Sequence, residues 1–213
     1  MVREVKAALH DTGIRIALGE GFRVRDDGDV RDRAAGLDLM ADLGAERINA
    51  VSMEHELART HDQLALLAEM VIERGMMFTV EFAPPNAINS LDSALTAIAH
   101  IGAGRASLMI DAMHFFRSGA SVESLAALDP DLIGYAQLCD APLVSAGGTY
   151  MQEAMFGRLV PGDGEFPLAE LVSALPEHLD IGLEIPNVAA ALVAGSPSDV
   201  AARSVAAARA LGV

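Results

Sequence analysis

The sequence predicts an α/β fold built on parallel strands, and three observations carry that prediction. Short apolar runs alternate with helical segments along the chain, and each run is followed by Gly, Pro or Asp. The residues are 52% hydrophobic but only 4% aromatic with no Trp, which suits Ala/Leu/Val-rich helices on a sheet better than an aromatic β-sandwich. At 213 residues the chain is long enough for one buried core and short for two, so a single domain over 1–213 is expected.

In order along the chain, the patterning predicts a helix near Val2 to Leu9, a strand at Ile14 to Leu18, a helix from Asp29 to Leu43 and a strand at Arg47 to Val51. A helix from Thr60 to Arg74 then leads to a strand at Met77 to Phe82. The second half repeats the rhythm with a helix at Leu91 to Ile101, a strand at Ala106 to Ile110, a helix at Val122 to Leu128 and a strand at Ile133 to Leu138. Gly147 and Gly148 mark a mobile loop, after which come a helix at Leu168 to Leu175, a strand at Ile181 to Ile185 and a helix at Ser198 to Leu211. Strands linked by helices pair in parallel through right-handed crossovers, leaving a (β/α)-barrel or an open doubly wound sheet. The segment LGEGFRVRDDGD has neither the glycine spacing nor the helix onset of a phosphate-binding turn, which disfavours the open nucleotide-binding sheet.

The formal charge of −15, with no local Lys/Arg cluster, repels nucleic acid and anionic membrane surfaces. A single Cys rules out an intramolecular disulfide framework and fits a reducing compartment. The start MVREVKAALHDTG places charges where a signal peptide needs an apolar core, and no run approaches a membrane span, so a cytoplasmic location is expected.

Four successive predicted strands of the chain end in a polar residue: Glu81 in FTVEFAPP, Asp111 in SLMIDAMHFFRSG, Gln137 in GYAQLCDAP and Glu184 in IGLEIPN. Period-two alternation puts Thr79 with Glu81, Met109 with Asp111, Tyr135 with Gln137 and Gly182 with Glu184 on shared faces. If those faces point into a barrel, the four groups converge at its carboxyl-end mouth, where barrel active sites are built. Three carboxylates in one cavity raise one another's pKa unless a cation neutralises them. Three carboxylates and an amide oxygen form a hard donor set that favours Mg²⁺ or Mn²⁺, with Zn²⁺ or Co²⁺ as alternatives. A single strand-end carboxylate is more often a helix cap or a surface ion pair, but four in phase weaken that explanation.

The segments VEFAPP, IDAMHFFRSG, YAQLCDAP, RLVPGDGEFPL and LEIPN resemble the xylose isomerase-like barrel family of sugar phosphate isomerases and epimerases, which includes metal-dependent dehydratases of cyclic polyols and dehydroshikimate. The resemblance runs from Gly13 to the end. It implies a TIM-barrel fold and a metal held by Glu81, Asp111, Gln137 and Glu184. It also implies that His114 contacts substrate or handles a proton, and that Arg158 orients substrate. Two departures stand out. Gln137 replaces the family's usual His, exchanging a borderline nitrogen for a weaker neutral oxygen donor. Only six strands are visible, and the family's first two βα units have no counterpart before Met1. A shortened start, a homo-oligomer partner that covers the incomplete barrel, or an open partial barrel would each account for this.

In this chemistry a metal holds the carbonyl and hydroxyl oxygens of a sugar while Glu81 or Glu184 removes the intervening proton and the other returns it. His114 serves proton movement between oxygens, or acts as base in a dehydratase, against the alternative of a packed ring in MHFF. Asp140 can anchor Arg158 or contact substrate, or is simply a turn residue before AP. Arg117 and Gly119 can shape an anion pocket or close a loop. Cys139 reads as a small buried hydrophobe, Glu54 and His55 as solvated surface, Glu165 as a helix-start carboxylate, and Met76, Met77, Met109 and Met113 as core filling.

The function expected is therefore a metal-dependent isomerase or epimerase of a small sugar-like ketose, with a dehydratase of the same metal chemistry as the close competitor. A non-catalytic barrel that keeps the pocket is the reading from a different class, motivated by Gln137 and the absent strands. The family's DNA-repair endonuclease relatives need more His and Asp ligands and a cationic face, which the charge of −15 opposes.

Overall fold

The computed structural model describes residues 1–145, 147–187 and 196–213. The chain divides into two compact units, Met1–Phe82 with Asn86–Leu108 and Ala83–Pro85 with Met109–Val213.

The first unit contains α1 (Val2–Thr12), β1 (Gly19–Val24), a 3-10 turn (Val30–Arg33), α2 (Ala34–Leu43), β2 (Arg47–Ser52), α3 (Leu57–Ile72), β3 (Met77–Glu81) and α4 (Leu91–Ile101). β1 pairs in parallel with β2 and β2 with β3, setting Phe22 beside Ala50 and Asn49 beside Thr79. The helices bury the expected stripes: Thr60, Leu64, Leu67, Ala68 and Val71 recur on one face of α3, and Leu91, Ala94, Ala97, Ile98 and Ile101 on one face of α4. Ser90 and Ser93 close a reciprocal cap at the start of α4, satisfying amide donors that no helical carbonyl can reach.

β1 lies downstream of the expected position. Ile14 is 63% exposed, and residues 14–18 form a lead-in whose Ile16 carbonyl accepts from the Glu46 amide at 2.9 Å. The strand itself is GEGFRV, with Phe22 and Val24 in the core. Its glycines are structural: a Cβ on Gly19 would stand 2.8 Å from Ile48 Cδ1, and Gly21 adopts φ 91° where the register of β1 slips. The predicted helix from Asp29 begins as the 3-10 turn, because the Asp29 carboxylate accepts from the Arg31 amide.

Two surface and core assignments also change. Glu54 is buried, with Oε1 accepting from the Glu56 amide at 2.9 Å and Oε2 2.9 Å from Arg59 Nε, while His55 is exposed as expected. Met77 opens β3 half exposed, whereas Met76, Met109 and Met113 are buried.

β4 (Ser107–Asp111) ends in the second unit, which continues with α5 (Ala112–Arg117), α6 (Val122–Ala126), a 3-10 turn (Pro130–Leu132), β5 (Ile133–Leu138), α7 (Tyr150–Phe156), α8 (Leu168–Ala174), β6 (Ile181–Leu183) and α9 (Pro197–Ala210). β5 and β6 pair in parallel, with Gln137 beside Gly182. Every residue of β5 is buried, as a strand covered on both faces requires. Six strands are thus present among the described residues, as the periodicity predicts. α5 and α7 were not expected. No helix among the described residues is long and apolar enough to cross a membrane.

Candidate functional site

Glu81 closes β3 and is 6% exposed. Alternation aims it to the same side as Thr79, and the register beside β2 adds Asn49 to that side. Asn49 Nδ2 donates to Glu81 Oε2 at 2.7 Å, and the Thr79 hydroxyl lies 3.3 Å from Asn49 Oδ1. The first unit therefore presents a buried carboxylate oriented by a neutral amide. Asn49 was missed in the sequence, although it alternates with Arg47 and Val51 in a strand where a buried amide needs a purpose.

In the second unit the strand ends gather around a guanidinium. Asp111 ends β4, is 1% exposed and caps α5 by accepting from the His114 amide at 2.8 Å. Its Oδ2 lies 2.5 Å from Arg158 Nη1, and that same nitrogen is 3.0 Å from Glu184 Oε2, 3.4 Å from the Glu184 carbonyl and 3.6 Å from Cys139 Sγ. Arg158 is itself 2% exposed and is held at both ends: Nε donates to the Ala154 carbonyl at 2.8 Å, and its own carbonyl accepts from Asn187 Nδ2 at 2.9 Å. One cationic nitrogen thus sits among three oxygens and a sulfur contributed by the ends of β4, β5 and β6.

The electrostatics follow from that placement. Burial pushes the Asp111 carboxyl upward, but the neighbouring His114 and Arg158 charges and hydrogen bonds outweigh it and hold it below the usual carboxylate range. Arg158 is desolvated, yet the Asp111 and Glu184 charges push its pKa upward. Burial, with Asp111 nearby, pushes the Cys139 thiol well up, so it is the inert small hydrophobe expected rather than a nucleophile.

Gln137 is the penultimate residue of β5 and is 6% exposed. Gly182 beside it leaves the space that Gln137 and Tyr135 fill, since a Cβ there would lie 2.9 Å from the Tyr135 hydroxyl and 3.5 Å from Gln137 Cγ. Glu184 follows β6 and keeps part of its side chain open to solvent.

His114 is half buried on α5, with Nδ1 3.5 Å from Asp111 Oδ1 and hydrogen-bonded to the Tyr150 hydroxyl of α7. Tyr150 is the principal residue that the sequence reasoning missed. Its signal was present: Thr149 and Gln152 form an S/T-x-x-E/Q capping box, and the structure shows both halves of that box made at the start of α7.

The anchor of Arg158 is Asp111 rather than Asp140. Asp140 is buried and bonds three backbone amides: Oδ1 takes Ala141 at 2.8 Å and Phe166 at 3.0 Å, and Oδ2 takes Gly162 at 2.8 Å. It folds the PGDGEF turn onto the end of β5. Glu165, in the same turn, accepts from the Leu143 amide at 2.9 Å. Arg117 closes a loop: it pairs with Glu153 at 2.6 and 3.0 Å, donates to the carbonyls of Pro142 at 2.7 Å and Leu143 at 3.0 Å, and lies over the Phe166 ring.

The second unit thus brings Asp111, His114, Arg158 and Glu184 together and leaves Asp140 and Arg117 as supports of the surrounding loops. Hydrogen-bonded carboxylates beside a half-buried imidazole can orient hydroxyl and carbonyl oxygens and move protons among them.

A family model described as xylose isomerase-like TIM barrel matches residues 1–211. A 3-dehydroshikimate dehydratase of Pseudomonas aeruginosa is 26% identical over 181 residues, which is 78% of this chain and 28% of that protein. The chain therefore spans well under a third of that relative's length. Among solved structures, the IOLI protein with a bound zinc atom superposes with a TM-score of 0.83 at 15% identity, covering 97% of this chain and 81% of that one. An L-ribulose 3-epimerase gives 0.72 at 17% identity over 100% of this chain and 79% of its own. At these identities the two superpositions show a shared fold.

Proposed function

The chain belongs to the xylose isomerase-like TIM barrel family, and from that premise we propose that it is a divalent-metal-dependent isomerase or epimerase of a small sugar-like ketose, working through an enediolate. The observation that carries this reading is the meeting of Asp111 and Glu184, from separate strand ends, on the single cationic nitrogen of Arg158. Carboxylates converging from separate strand ends are the hard donors a divalent cation takes, and the proposed ligands are Glu81, Asp111, Gln137 and Glu184, of which Asp111 and Glu184 would be shared with the Arg158 guanidinium. Their carboxylate and amide oxygens favour Mn²⁺ or Mg²⁺, and the zinc of the IOLI protein supports including Zn²⁺ in any test. When bound, such an ion supplies positive charge at the oxygens where enediolate charge develops.

The chain's own residues then divide the remaining work. Glu184, with its side chain partly open to solvent, takes the proton from the hydroxyl-bearing carbon next to the carbonyl, and Glu81, oriented by Asn49, returns one. His114 lies beside Asp111 and serves the oxygens. Arg158, buried and anchored, holds Asp111 and Glu184 in place, and its proposed part in orienting substrate acts beside those two carboxylates. The charge of −15 supports a small-molecule substrate over nucleic acid.

The 26% identity to a 3-dehydroshikimate dehydratase favours a second reading, in which the same enolate chemistry expels a β-hydroxyl as water. A panel of ketoses and 3-dehydroshikimate, incubated in D₂O with Mn²⁺, Mg²⁺ or Zn²⁺, separates the two. Deuterium at the carbon beside the carbonyl with an epimer or aldose as product supports the isomerase. Loss of water with a new conjugated absorbance supports the dehydratase. Neither product with any metal refutes both and leaves a binding barrel.

A further inference from the structure

In the first unit, α3 and α4 bring two imidazoles together. His61 lies in the first half of α3 and His100 in the last turn of α4, with ring centroids 5.3 Å apart and planes tilted by 32°. Both helices bury an apolar stripe in the core, so the packing that holds the unit also holds the pair. Asp62, the residue after His61, stands beside His100 with its Oδ1 3.1 Å from His100 Nε2. His61 Nε2 is buried, and among the described residues no group hydrogen-bonds to it.

A tilted ring pair accounts for the separation of the two side chains but not for the rest. A buried ring nitrogen without a hydrogen-bond partner costs stability and calls for a ligand. In a neutral imidazole the Asp62 carboxylate accepts the Nε2 proton of His100, which puts the lone pair on Nδ1. A carboxylate on the second nitrogen is the arrangement that orients metal-ligating histidines and raises their basicity. Two imidazoles sharing one tetrahedral ion at about 2.0–2.1 Å per nitrogen stand with ring centres roughly 5 Å apart, which matches the separation here. We propose that His61 and His100 form a second metal site, a two-histidine clip for Zn²⁺ or another borderline transition-metal ion, with Asp62 as the carboxylate that orients His100.

Donor chemistry separates this clip from the strand-end oxygens, and the proposal does not rest on the isomerase reading. Neutral nitrogens suit Zn²⁺, Ni²⁺ or Cu²⁺ and discriminate against Mg²⁺ and Mn²⁺, which take oxygen. The side chains of His100 and Asp62 are 44% and 74% exposed, so an ion enters from solvent, and the charge of −15 attracts it. An ion held by both rings joins α3 to α4 and stabilises the folded chain by mass action. With two protein ligands the ion exchanges readily, so the clip fills in free metal and is emptied by gel filtration.

The test is a Zn²⁺ titration of the purified, metal-stripped full chain labelled at histidine nitrogen, followed by ¹H–¹⁵N correlation NMR of the imidazoles at a pH above their ordinary value of about 6.5. The His61 and His100 signals are identified by their loss in His61→Gln and His100→Gln. In the wild type both are expected to move together with one midpoint, and the same concentrations of Mg²⁺ should move neither. Each single variant should abolish the response of the histidine that remains. Asp62→Asn, a change at an exposed side chain, should raise the midpoint about 10–100-fold. Glu184→Ala, which removes a proposed strand-end ligand from the other unit, should leave both responses intact. Signals that stay fixed at millimolar Zn²⁺, move with different midpoints or respond equally to Mg²⁺ overturn the proposal from the wild type alone. A His100 response that survives His61→Gln, or one that is lost in Glu184→Ala, overturns it as well, and an unchanged midpoint in Asp62→Asn overturns the part given to the carboxylate.

Discussion

Replacing Arg158 by Gln removes the cation from a carboxylate that water cannot reach. The Arg158 and Asp111 side chains are 3% and 0% exposed and meet at 2.5 Å. Glu184 also touches the guanidinium, but it is 39% exposed, and solvent screening leaves that contact worth about 1 kcal/mol at most. Breaking a buried pair by removing one partner costs about 3–5 kcal/mol, because the remaining charge is left uncompensated. At roughly 2–4 °C per kcal/mol for a chain of this size, Tm should fall by about 6–20 °C at neutral pH. Acid then discriminates the cause. In the wild type the folded-state Asp111 pKa is depressed, so its stabilisation is present above the unfolded value of about 3.9 and is lost as pH falls through the folded value. In Arg158→Gln the guanidinium is gone, burial drives the carboxyl upward, and protonation relieves the orphan charge. The stability gap between the two proteins should therefore narrow between pH 7 and pH 4, and Asp111→Asn added to Arg158→Gln should recover part of the loss. Urea and thermal unfolding followed by circular dichroism measure all of this. A cost below about 1 kcal/mol at pH 7, or a gap indifferent to pH, would refute the claim that this pair holds the site together.

Other consequences are equally concrete. Asp140→Ala strips three backbone amides of a charged acceptor and should cost about 3 kcal/mol or more in urea unfolding; a loss under about 1 kcal/mol would mean the PGDGEF turn does not depend on it. Gly164→Ala would put a Cβ 2.3 Å from Asp140 Oδ1 and 2.6 Å from the Ala141 amide, and should destabilise by about 1–3 kcal/mol through the same turn. Cys139 should resist thiol reagents in the native protein and react at the rate of unfolding, whereas fast labelling without denaturant would show an accessible thiolate.

The strands and long helices were legible because burial imposes its period directly: α4 starts and ends at the predicted Leu91 and Ile101, and β5 occupies the predicted Ile133 to Leu138. β1 was misplaced because IRIAL has the composition of a strand, while the strand that pairs, GEGFRV, carries glycines that read as punctuation until Ile48 is seen pressing on Gly19. α7 was hidden between two glycines and another at Gly157, although its capping box was written in Thr149 and Gln152. The strand-end acids were found by alternation. Their partners were not, because Asp111 and Arg158 lie 47 residues apart and nothing in local pattern says which acid an arginine will meet. Glu54 was misread for the same reason, since a glutamate in a loop looks solvated until Arg59 and the Glu56 amide are brought to it.

The central claim is that the strand-end oxygens hold a divalent ion. Elemental analysis of the purified protein, with and without added Mn²⁺, Mg²⁺, Zn²⁺ or Co²⁺, tests it against Glu81→Ala and Glu184→Ala. The account predicts near-stoichiometric metal in the wild type and its loss in both variants. No bound metal in the wild type under any loading, or full occupancy in both variants, would contradict it.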